Sequence, residues 1–141
     1  MKEKVIALME MHPEIFLDAF LKRFPTDEEL ANAEKSLELT IPNEYVWFLK
    51  TYGHGGFCFE FLGFGVNGKA LFVEKTLHER TFGLPRTLIV IESMDEYVNC
   101  IDTLSNKIVS WSKHDSDGVI NTADNFYAYF FDRVKTAIEN Y

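Results

Sequence analysis

Apolar residues follow a helical period through the first fifty positions, switch to alternation in the middle of the chain, and return to a helical period at its end. Val5, Leu8 and Met9 stand at i, i+3 and i+4, which predicts a helix over 2–11. Pro13 interrupts this face or opens a second helix at its first position, where the missing N–H costs nothing. Ile15, Phe16, Ala19, Phe20 and Phe24 carry the helical face to about Phe24, and Pro25 ends it. Thr26-Asp27-Glu28-Glu29 then reads as a capping box, with hydroxyl and carboxylate each accepting from the other residue's backbone N–H. Leu30, Ala33 and Leu37 form the stripe of the helix that follows. Pro42 starts the next helix, in which Tyr45, Phe48, Leu49 and Tyr52 keep the spacing and Gly53 supplies a left-handed stop.

From Phe57 the period becomes two. Phe57, Phe59 and Phe61 alternate with Cys58 and Glu60, the pattern of a half-buried strand. Residues 70–75 read as a short strand, and 76–86 as a loop with room for one helical turn. The β-branched run 87–92 predicts a central strand. Residues 97–103 and 107–111 form a hairpin around Leu104-Ser105-Asn106, and His114 to Gly118 is a polar turn. Asn121 or Thr122 caps a last helix with Phe126, Tyr127, Phe130, Val134, Ala137, Ile138 and Tyr141 on its apolar side. N-terminal helices, a central, mainly antiparallel sheet and a C-terminal helix make an α+β fold rather than alternating βαβ units.

Composition sharpens this picture. A chain of 141 residues is expected to form a single domain, 1–141. Its 13 Phe and six Tyr supply an aromatic core with rings to spare for a recognition surface. No apolar run approaches a membrane span, and the N-terminal stretch is interrupted by glutamates, which disfavours a signal peptide. Cys58 and Cys100 lack CxxC spacing and read as free thiols in a reducing cytoplasm.

The net charge of −8 is unevenly placed. Residues 24–68 hold seven acids against two bases, and 87–132 hold eight against two, whereas 69–86 is basic. Such a chain repels phosphate backbones, so nucleic acid is not an expected partner, and a basic protein is favoured instead.

Catalytic chemistry finds little support. Cys58 follows His54 by four residues, but no third group is aligned with them and no GxSxG elbow occurs. His54, in its glycine turn, reads as a solvent-facing loop residue. The four histidines are scattered, and Asp115-Ser116-Asp117-Gly118 lacks the closing glutamate of a calcium loop. The glycines match no phosphate-cradling loop. With 22 acids a paired-carboxylate hydrolase stays open to a reading of spacing alone, but no particular pair stands out, and no catalytic residue, metal or cofactor is expected.

The segment Glu28–Gly56 carries an acidic helix, then Ile41-Pro42-x-x-Tyr45, Phe48-Leu49 and Gly55-Gly56. In these features it resembles the SUKH superfamily, which includes the SMI–KNR cell-wall-regulator-like proteins. Ile41 stands where the family has Leu, His54-Gly55-Gly56 replaces its Asn-Gly-Gly, and its early Trp-Gly element has no counterpart. Leu88–Ile91, Tyr97–Asp102 with Ile108–Trp111, and Asn125-Phe126 with Tyr129-Phe130 resemble its central strand, hairpin and closing helix. The likeness spans about residues 24–135. It implies a compact α+β domain that binds rather than catalyses. Bacterial members resemble immunity proteins that neutralise a cognate toxin, often a nuclease, and fungal members are scaffolding regulators.

The expectation is thus an antitoxin that occupies the basic cleft of a toxin, with a regulatory or scaffold domain as the alternative. The acids expected to meet the partner are Glu44, Glu60, Asp95, Glu96, Asp115, Asp117 and Asp124.

Overall fold

The computed structural model describes residues 1–115 and 118–141. The helices are α1 (Lys2–Glu10), α2 (Pro13–Phe16), α3 (Asp27–Leu37), α4 (Asn43–Thr51), α5 (Leu71–Arg80) and α6 (Phe126–Glu139). The strands are β1 (Phe20–Leu21), β2 (His54–Gly55), β3 (Leu88–Ser93), β4 (Val98–Asp102), β5 (Ile108–Trp111) and β6 (Ile120–Ala123). β3 to β6 form an antiparallel meander in chain order, and β1 pairs with β2 separately. Helix α5 packs against β3, and α1 and α4 pack against α6. The fold is α+β, with helices before the sheet and one after it.

The two strongest local signals form as their chemistry dictates. At α3, the Glu29 N–H donates to Thr26 Oγ1 at 3.1 Å and the Thr26 N–H to Glu29 Oε1 at 2.9 Å. At the end of α4, Gly53 adopts φ +86 and its N–H reaches Phe48 O at 3.2 Å. Between these helices and α6 lies an aromatic core. Phe61 sits 5.4 Å from Phe48 and 5.3 Å from Phe130, edge to face in both cases, and Tyr45 is wholly buried with its hydroxyl donating to Leu62 O at 2.5 Å.

The structure differs from the sequence reading in several places. The helical face expected to reach Phe24 stops at Phe16, and Phe20–Leu21 pairs instead with His54–Gly55. That pairing needs glycine, since a Cβ on Gly53 would stand 2.4 Å from Leu21 O. Residues 57–61 do not form a strand. Cys58 turns through φ +63, and only an isolated bridge joins Gly55 to Phe61, although Phe59 and Phe61 are buried as their alternation implied.

Leu71–Arg80 form α5, where the sequence reading expects a strand over 70–75 and a loop over 76–86. Its buried positions are Phe72, Val73, Thr76 and Glu79, a helical face whose polar members hide its period. The run expected as a central strand is β3, at the edge of the sheet. It is nevertheless wholly buried up to Glu92, because α5 and the Phe61–Phe64 segment cover it. Residues 120–123 form β6, and Asn125, not Asn121 or Thr122, caps α6, its Oδ1 accepting from the Ala128 N–H at 2.9 Å.

Candidate functional site

The β4–β5 register pairs Val98 with Trp111 and Asn99 with Ser110, and β6 sets Ile120 opposite Ser110. Antiparallel partners point to the same face, so Asn99, Ser110 and Ile120 share one side of the sheet. It is the side α6 covers, since the Asn99 amide donates to the Tyr129 hydroxyl at 2.8 Å. Beyond α6 this face opens into a groove of about 560 Å³, with Ser110 in its lining, Tyr97 and Ile120 beside it, and Glu96 and Asp115 among its acids. Tyr97 is 41% exposed and Ile120 58%. A smaller hollow of about 100 Å³ adjoins it, sharing Glu96, Tyr97 and Trp111 and adding Asp95 and Lys75. Lys75 also borders a third hollow of about 440 Å³ that contains Glu60 and His54.

Four of the seven expected acids therefore line adjoining hollows: Glu60, Asp95, Glu96 and Asp115. All four are exposed. Glu44 and Asp124 sit elsewhere, at the N-terminal end of α6. Glu44 is half-buried and its Oε2 accepts the Phe126 N–H at 3.0 Å, satisfying one of the unpaired donors of that helix start. Asp117 lies outside the described residues.

A buried polar network backs the groove. Glu92 on β3 is 2% exposed and accepts from the Tyr129 hydroxyl, from Arg133 and, at 3.2 Å, from the Asn99 amide. Ser110 donates to Asn99 Oδ1 at 2.6 Å and meets Thr122 Oγ1 at 2.7 Å. One residue from each strand of the sheet thus joins a chain of hydrogen bonds that ends at the groove floor. Burial, then the Glu92 charge, pushes the Tyr129 hydroxyl pKa up. Burial alone would lower that of Arg133, but the Glu92 carboxylate outweighs it and raises it. The sequence hid this network, because Glu92 closes an apolar run and Tyr129 and Arg133 read as ordinary positions on a helix.

His54 is buried rather than solvent-facing. Its Nδ1 accepts the Gly63 N–H at 2.9 Å, which puts the proton of the neutral ring on Nε2, facing Glu60 Oε2 at 3.1 Å. The histidine thus holds the Phe61–Phe64 segment in place. Cys58 is exposed, and Cys100 is buried, with its thiol pKa pushed up by that burial. Among the described residues no three His, Cys, Asp or Glu side chains gather as a metal site would require, and no helix is long and apolar enough to cross a membrane.

The groove thus presents carboxylates and an exposed tyrosine ring above a polar network. The SMI1-KNR4 cell-wall family model, SUKH_5, matches residues 3–135. The match takes in α1 and α2, which the sequence motifs beginning at Glu28 did not reach.

Proposed function

The chain belongs to the SMI1-KNR4 cell-wall family, and from that premise we propose that it is an immunity protein that binds and neutralises a cognate toxin, a basic nuclease domain. Members of this family are generally non-catalytic, and the proposal gives the chain no reaction of its own. The observation that carries the reading is the grouping of Glu60, Asp95, Glu96 and Asp115 along adjoining hollows that also expose Tyr97. A nuclease must attract phosphate, so its cleft is basic, and an acidic surface with an aromatic anchor complements it. The proposal places the protein in the cytoplasm, where such a toxin would act on the cell's nucleic acids.

The test is co-purification with the product of the neighbouring gene, followed by suppression of its toxicity. Association should slow by about tenfold or more between low and high salt, as electrostatic steering is screened. A toxin bound equally fast at both would count against the acidic surface.

The family's cell-wall description supports a second reading, a regulatory or scaffold domain with an endogenous partner. A toxin-like reading frame beside the gene favours immunity, and an isolated gene favours the scaffold.

A further inference from the structure

We propose that the outer edge of β6 accepts an extended basic segment of the partner protein as a fifth strand of the sheet. The inference rests on the binding reading above and narrows it to one edge.

The two edges of the sheet are treated differently. β3 is covered: the Val90 N–H donates to Thr76 Oγ1 at 2.9 Å, and Ile91 O accepts the Leu62 N–H at 2.8 Å. At β6 the chain runs Val119-Ile120-Asn121-Thr122-Ala123, with Val119 44% and Ile120 58% exposed. Edge strands are ordinarily guarded against pairing by lysine, proline or inward charge. This segment contains none of these; it is short, and its bulge falls at Thr122, leaving Ile120 and Asn121 in register with Ser110 and Val109. Its β-branched residues Val119, Ile120 and Thr122 suit a strand that gains a neighbour.

Charge selects the occupant. The groove beside Ile120 carries Glu96 and Asp115, and Asp124 follows the strand. A second copy would set these acids against their own equivalents, with −8 on each chain. An added strand draws affinity from main-chain hydrogen bonds and specificity from alternate side chains. Those falling on the face of Ser110 and Ile120 enter the groove, where a lysine or arginine meets carboxylates and the Tyr97 ring. The partner segment is therefore extended, with basic residues alternating with apolar ones.

The test titrates isotope-labelled protein with a synthetic peptide alternating Lys and Val, of about eight residues. A second peptide of the same sequence is N-methylated at every residue, which removes the donors from both edges, so that it cannot turn over and pair by an unblocked one. Amide shifts and slowed amide exchange are expected along residues 118–124, with binding at least about tenfold weaker for the methylated peptide. Ile120→Lys should weaken the unmodified peptide by a similar factor, whereas Ala31→Lys, which adds the same charge on exposed α3, should not. The methylated peptide keeps the test decisive if Ile120→Lys folds poorly.

Equal binding of both peptides, or shifts spread over the acidic surface without β6, would overturn the proposal. So would self-association of the free protein that protects the β6 amides. If the toxin is neutralised as well by Ile120→Lys as by the native chain, the edge is wrong and the immunity reading stands. If no toxin binds, the immunity reading fails, and the peptide result still decides the edge.

Discussion

At single residues, two contacts carry consequences the sequence shows unequally. Gly63 reads in the sequence as a turn glycine, but what requires it is a close backbone approach: a Cβ there would stand 1.9 Å from Gly53 O. That oxygen is backbone and cannot swing aside, so Gly63→Ala is expected to destabilise the protein by about 3 kcal/mol or more, read from its urea midpoint. Glu29 is the opposite case, because the capping box was legible from spacing alone. The structure adds Arg23, whose guanidinium donates to both Glu29 oxygens at 2.8 and 2.6 Å. The Arg23 hydrogen bond, then that of the Thr26 backbone, lowers the Glu29 pKa to about 2. A depressed carboxylate pKa contributes stability above its unfolded value, near 4.5, that is lost as pH falls towards about 2. Melting curves of the native chain and Glu29→Gln should therefore differ at neutral pH and converge across that window. A gap that persists at pH 2 would mean that the carboxylate's charge is not the cause.

Elements escape the apolar pattern where polar residues sit on buried faces or where pairing is non-local. Thr76 and Glu79 broke the apolar period of α5, although Thr76 is buried because its hydroxyl serves two backbone groups, Phe72 O at 2.7 Å and the Val90 N–H. β6 is mostly exposed and carries no alternation to detect, so only its register against β5 defines it. The network joining the sheet to α6 belongs to this scale too. Removing one member of a buried ion pair leaves the other uncompensated. Glu92→Ala should then cost about 3–5 kcal/mol, while Glu92→Leu combined with Arg133→Met should recover part of that loss. Denaturant titrations of the single and double variants check this, and a loss below about 1 kcal/mol for Glu92→Ala would show that the pair holds little.

Across the whole molecule, the acids divide into two groups that the linear charge count could not separate. Glu60, Asp95, Glu96 and Asp115 line adjoining hollows, whereas Glu44 serves the start of α6. Reversing Asp95, Glu96 and Asp115 to lysine together should weaken binding of the neighbouring gene's toxin by about a hundredfold or more, with little change in melting temperature. Glu44→Lys should instead lower the melting temperature and leave toxin affinity nearly unchanged. Affinity and melting measurements on the same variants separate the two roles, and the reverse pattern would move the interface to the α6 end.

The sequence by itself determined the α+β class, the helix pair from Thr26 to Gly53 and the family that pair resembles. These rest on local rules: capping chemistry, proline and glycine punctuation, and periods of 3.6 and two, all of which act within a few residues. Tertiary structure alone decided that β3 is a covered edge, that β6 is an exposed one, that His54 is buried, and that Asp95, Glu96 and Asp115 line two hollows with residues in common. Each of those depends on which distant backbone or side chain arrives to satisfy a polar group or cover an edge, and spacing along the chain does not encode that.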